Sequence, residues 1–159
     1  MTAPRINSRA KGRTFEQAIA RDLRSWLGPE WTITRTPTDQ QRDQAKRGQA
    51  GEFTIIGPRP FPWALECKAG AALDLRQLWR TPIDGPIPGW WRQAKRQAAK
   101  VGARPMLVLK VARGETLCVV EGTPIPGPPY LDLVLGDENL TVCLWGTGGR
   151  HLITRLEAR

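Results

Sequence analysis

Histidine and cysteine are scarce in this sequence. Its 159 residues hold one histidine, His151, and three cysteines, Cys67, Cys118 and Cys143, which are far apart and odd in number. With no CxxC pair and one imidazole late in the chain, neither a zinc site nor a disulfide framework is expected. The same shortage, and the lack of a nucleophile elbow, leaves a Ser-His-Asp hydrolase unsupported. No run approaches the roughly 18 apolar residues of a membrane span. The basic start MTAPRINSRAKGR is not followed by the apolar core of a signal peptide. The expectation is a soluble protein of a reducing compartment, cytoplasmic or nucleoid-associated, or in the host cytoplasm if a phage encodes it.

Negative charge is also in short supply. Fifteen acids face 24 Lys and Arg, a net charge of +9. That balance points to a polyanionic partner, nucleic acid before an anionic membrane. Eighteen of the basic residues are Arg and six are Lys, which suits bidentate phosphate contacts. A GC-rich genome would also raise the Arg share, but it does not account for the net charge. The length fits one domain with a real core.

Phe15, Ile19, Leu23 and Trp26 recur as one apolar stripe and predict a helix over 14–27, ended by Gly28-Pro29. Thr14 with Gln17 has the spacing of a capping box, although a start near Ser8 also fits. Residues 31–35 alternate as a short strand, and 36–50 form a long polar loop carrying Arg42, Lys46 and Arg47. Residues 52–56 and 63–68 read as two strands, expected to pair antiparallel. A short helix is predicted over 73–79 and a Pro/Gly loop over 81–89. A second clear helix is predicted over 90–101, with Trp90, Ala94, Ala98 and Val101 on one face. Trp90 is expected to pack and Trp91 to be partly exposed. Residues 105–112 have the continuous apolar character of a central strand. Further strands are predicted over 116–121, 131–135, 140–145 and 152–156. The fold class is α/β, a small mixed central sheet flanked by helices, in one domain with a short β-rich C-terminal extension. Residues 1–112 form the expected core; 113–159 complete the same domain and are a candidate for dimer contacts.

The chemistry gathers in GEFTIIGPRPFPWALECKAG, residues 51–70. Strand residues i and i+2 share a face, so Glu66 and Lys68 stand side by side. Glu52 heads the preceding strand, and Glu16 lies beside the apolar stripe of the first helix. Singly, each acid has an ordinary reading as a solvated residue, and an E-x-K pair as a surface ion pair. Together they could form one carboxylate cluster, whose repulsion a hard divalent cation relieves. A metal lowers the pKa of bound water and neutralises phosphodiester charge, while a lysine can orient water or stabilise developing charge.

GEF at 51–53 with ECK at 66–68 resembles the core motif of the PD-(D/E)XK nucleases. The wider pattern, NSRAKGRTFEQAIARDL, RTP, GEFTI, ALECK and WWRQAKRQAAKVGARPMLVLK, resembles their Holliday junction resolvase branch in its archaeal and phage forms, over residues 6–112. The resemblance implies a restriction-endonuclease-like fold. It implies catalytic roles for Glu16, Glu52, Glu66, Lys68 and Gln93, and metal ligation by Glu16, Glu52, Glu66 and the backbone carbonyl of Cys67. The metal would be Mg²⁺, with Mn²⁺ as a substitute. Arg9, Lys11, Arg13 and Arg35 match its DNA-contacting positions, and the loop residues Arg42, Lys46 and Arg47 join them. Position 52 departs from the pattern, which has Asp there; the extra methylene of Glu alters metal geometry.

The expected function is therefore a metal-dependent, structure-selective endonuclease that resolves four-way junctions by paired cuts as a homodimer. Two alternatives stay open: a phage or restriction-type nuclease on other DNA forms, and a junction-binding protein impaired at Glu52. The expected partners are branched DNA and a second copy of the chain, with neither a membrane nor a small-molecule substrate. RNA binding lacks an RNP-like aromatic pattern.

Overall fold

Phe15, Ile19, Ala20 and Leu23 form the buried side of a 20-residue helix, α1 (Ser8–Leu27). The structure is a computed structural model that describes residues 8–36, 51–69, 85–111, 114–122 and 127–155. The side chains of Ser8 and Arg9 lie outside that description, as do the predicted helix over 73–79 and all of the polar loop beyond Thr36. The helix takes the earlier of the two expected starts. Thr14 is therefore no cap: its hydroxyl donates to the Ala10 carbonyl one turn back, at 3.0 Å. Gly28, at φ +88°, ends the helix with its N–H on the Arg24 carbonyl.

The strands β1 (Thr32–Arg35) and β2 (Phe53–Ile56) pair antiparallel, with Ile33 opposite Ile55. This corrects the expected pairing of β2 with the ECK strand, β3 (Trp63–Ala69), which takes β4 (Arg104–Lys110) as its parallel partner. The reason lies in the link, where Pro58, Pro60 and Pro62 supply no N–H and cannot close a hairpin ladder. One backbone bond still ties the two, from Glu52 N to Leu65 O at 3.0 Å.

Between β3 and β4 runs α2 (Ile87–Ala99), the crossover that a parallel pair requires. It starts three residues before the predicted helix because Pro88 sits in the first turn, where a missing N–H costs nothing. Ile87 sets the phase, so the buried face is Ile87, Trp91, Ala94 and Ala98. Trp91 is 2% exposed and Trp90 only half-buried, the reverse of the expectation. The Trp91 indole N–H donates to the carboxylate of Glu138, which also pairs with Lys95.

The chain continues through β5 (Thr116–Glu121), β6 (Tyr130–Leu135) and β7 (Glu138–Leu144), giving a mixed five-stranded sheet of order β3-β4-β5-β7-β6. The strand predicted over 152–156 is instead helical: one π-helical turn (Trp145–Gly149) leads into α3 (Arg150–Thr154). Packing decides this. Ile153 is fully buried, and Trp145 packs at a tilt against Trp26, with ring centroids 4.8 Å apart, while its N–H donates to Asp22 of α1 at 3.0 Å. A Cβ on Gly148 would lie 2.4 Å from the Cys143 sulfur, so only glycine permits the turn so close to β7.

Two apolar layers hold the sheet. Trp63, Leu65 and Cys67 of β3 join Met106, Val108, Cys118 and Cys143 under α1, β1 and β2. Leu107, Leu109, Val119, Leu140 and Val142 pack on the other face against Ile87, Trp91 and Ala94 of α2. The result is the helix-flanked mixed sheet of a restriction-endonuclease-like fold. Among the described residues no helix is long and apolar enough to cross a membrane.

Candidate active site

Strand β3 is an edge strand of the five-stranded sheet, so groups from both faces can reach it. Its odd-numbered residues 63–67 point into the layer beneath α1, and the alternation of a strand turns Glu66 and Lys68 toward α2. Lys68 Nζ lies 2.6 Å from Glu66 Oε1, and Gln93 Nε2 of α2 donates to the same oxygen at 2.7 Å. Glu66 is 3% exposed. A carboxylate so buried is costly without compensation, and these two donors supply it.

Glu52 is brought in by the backbone. Gly51 has φ +93°, and a Cβ there would sit 2.3 Å from the Leu65 carbonyl oxygen. Only glycine lets the chain lie this close to β3 in this conformation. Glu52 then donates its N–H to Leu65 O and accepts from the Thr36 N–H, each at 3.0 Å. Its carboxyl is pushed up to about 7, chiefly by burial and then by the charges of Glu66 and Glu16; Lys68 and Arg35 pull it the other way. The third acid, Glu16 of α1, is ion-paired with Arg35, whose Nε donates to it across from β1.

Glu16, Arg35, Glu52, Glu66, Lys68 and Gln93 therefore gather around the middle and C-terminal part of β3, from α1, β1, the residue before β2, β3 itself and α2. Lys11 and Arg13 are exposed on the first turns of α1, upstream of Glu16. Arg9 belongs to the same turns, its side chain outside the described residues, where Arg42, Lys46 and Arg47 also fall. Burial, then the nearby acids, pushes the Cys67 thiol well above its usual range, which disfavours its thiolate. Two features escaped the sequence reading: Gly51 as the contact that sets Glu52 against β3, and the capture of Glu16 by Arg35. A glycine directly before the motif acid was the available signal for the first.

Among the described residues no three Asp, Glu, His or Cys side chains converge into a complete metal cage. Mg²⁺ does not need one, since it commonly uses one or two carboxylates with water and substrate phosphate. The donor set fits such a sparse site. Burial raises Glu52 first and the charge of Glu66 adds to it, so a cation beside the two carboxylates would be favoured there, and the Cys67 carbonyl lies on the same strand as Glu66.

The family described as phage putative PDDEXK endonuclease matches residues 7–125. That span covers most of the chain and contains Glu16, Glu52, Glu66, Lys68 and Gln93. It also runs past the 6–112 limit of the sequence resemblance and takes in β5. No curated protein and no solved structure matches the chain. The chain belongs to this phage endonuclease family and is a nuclease of the PD-(D/E)XK superfamily, whose members generally use divalent metal ions.

Proposed function

We propose that this nuclease is a structure-selective DNA endonuclease that hydrolyses phosphodiesters at the Glu52–Glu66–Lys68 cluster and resolves four-way junctions as a homodimer. The observation that carries the catalytic part is the gathering of two motif acids, the motif lysine and Gln93 around Glu66 of β3. A bound divalent ion, Mg²⁺ or Mn²⁺, supplies the acidified water and the neutralised phosphate. Glu52 and Glu66, with the Cys67 carbonyl, are the groups that would hold it. Lys68 Nζ, held beside Glu66, stabilises negative charge on the phosphodiester as the bond breaks. Gln93 fixes the Glu66 carboxylate so that its position survives substrate binding.

The net charge of +9 draws the polyanion in. Arg35, with Lys11 and Arg13 on α1, provides phosphate contacts beside the acids. Paired symmetric cuts call for two sites related by a two-fold axis, which a homodimer provides. The family's phage endonuclease description favours a second reading, a phage nuclease acting on other DNA forms.

A substrate panel separates the two. Labelled four-way junction, linear duplex, three-way junction and single strand are incubated with Mg²⁺ or Mn²⁺. Symmetric nicks in the four-way junction alone support resolution; equal cutting of linear duplex favours the second reading. Tight junction binding without cleavage in either metal would turn attention to Glu52, and Glu52→Asp would be the next variant.

A further inference from the structure

The two edges of the five-stranded sheet are not alike. β3 is met on its outer side by the β1–β2 pair through the Glu52–Leu65 backbone bond. On the outer side of β6, no strand pairs among the described residues. Natural edge strands are usually guarded by lysine, proline or a bulge. The one charge within β6 is Asp132, and Tyr130, Leu131 and Val134 are 37%, 43% and 58% exposed, with Leu144 of β7 at 40%.

Charge divides along the same line. From residue 114 to 149 the chain carries five acids, Glu115, Glu121, Asp132, Asp137 and Glu138, and no Lys or Arg, while the remainder has a net charge of +14. Strands β5, β6 and β7 all fall in this stretch. The β6 side of the sheet is thus unsuited to DNA, and two copies joined there would keep their basic regions apart.

We infer that β6 is the homodimer interface, pairing antiparallel with β6 of a second copy about a two-fold axis at Leu133. This rests on the homodimer part of the proposed function and supplies its surface. In this register Leu131 faces Leu135, Leu133 faces its own symmetry mate, and Asp132 faces Val134. Centring one residue earlier would set Asp132 against Asp132, which like-charge repulsion disfavours. A basic strand from another protein is the rival occupant.

Sedimentation velocity of the full chain from 1 to 100 µM, in wild type and two Val134 variants, tests the register. Val134→Asp puts acid opposite Asp132 at both symmetry-related contacts and should weaken association by about 10-fold. Val134→Lys puts a cation there and should leave association intact or tighter. Val134 is exposed, and far-UV circular dichroism and a thermal melt of both variants check that they fold. A dimer that both variants leave unchanged would overturn the β6 assignment while the homodimer survives. A wild-type chain monomeric at 100 µM would overturn both, whatever its nuclease activity. Weakening by Val134→Lys as strong as that by Val134→Asp would contradict the register.

Discussion

Gln93 on α2 and Glu66 on β3, 27 residues apart in sequence, are joined by a 2.7 Å hydrogen bond onto the carboxylate oxygen that Lys68 also contacts. Glu66 is thereby held from two sides. The helix that crosses between the parallel strands is also the arm that orients the motif acid.

Substitutions at this junction should separate cutting from binding. Glu66→Ala and Lys68→Ala should each lower the cleavage rate at least about 100-fold while DNA affinity measured in Ca²⁺ or EDTA stays within a few-fold. Gln93→Ala removes one of the two donors on Oε1 and should cost only about 10-fold, because Lys68 remains. Affinity falling in step with cutting would mean that these residues hold the fold and not the chemistry.

Glu52 gives the protein a pH dependence of stated sign. Its folded-state value, about 7, lies above the usual 4.5, so the folded chain keeps a proton that the unfolded chain releases. Stability from this group is full below about pH 4.5 and is lost as pH rises to about 7, on the order of 3 kcal/mol in all. Urea melts of metal-free protein at pH 5 and pH 8 should show that loss, and Glu52→Gln should flatten it. Metal competes with the proton, so Mn²⁺ affinity should rise across pH 6–8. Removing Arg35, which pulls Glu52 down, should move the activity profile of Arg35→Ala to higher pH.

Gly51→Ala is predicted to be far worse than an exposed glycine substitution. A Cβ there meets the Leu65 carbonyl at 2.3 Å and forces a side chain onto φ +93°. The expected cost is at least about 2 kcal/mol in a denaturant melt, together with loss of cleavage. Gly102→Ala serves as the control, at φ +66° but with open space around it.

The elements legible in the sequence were those with strong local periodicity. Phe15, Ile19 and Leu23 announced α1, and residues 105–112 announced the buried strand β4. The site residues were legible through the GEF and ECK motifs, which the strand alternation alone would not have joined to Glu16 or Gln93. What failed depended on partners distant in sequence. β2 pairs with β1 because the prolines after it block a hairpin. Trp91 goes inward because Ile87, hidden in a Pro/Gly stretch, sets the helix phase. Residues 152–154 turn helical because Trp145 and Ile153 dock on α1.

The polar loop should contribute to binding through charge. Replacing Arg42, Lys46 and Arg47 together with Ala should flatten the salt dependence of DNA affinity by about 0.9 log unit per phosphate contact removed. Filter binding between 50 and 200 mM salt measures this slope, and an unchanged slope would take the loop off the DNA.

Metal-dependent phosphodiester hydrolysis at the Glu52–Glu66–Lys68 cluster is what sets this fold to work on DNA in the reading proposed above. Its most direct test is cleavage of end-labelled DNA by wild type and Lys68→Ala, each with Mg²⁺, Mn²⁺ or EDTA. Wild type should give product with metal and none in EDTA, and Lys68→Ala almost none under any condition. Cleavage that persists in EDTA, or that Lys68→Ala retains in full, would contradict it.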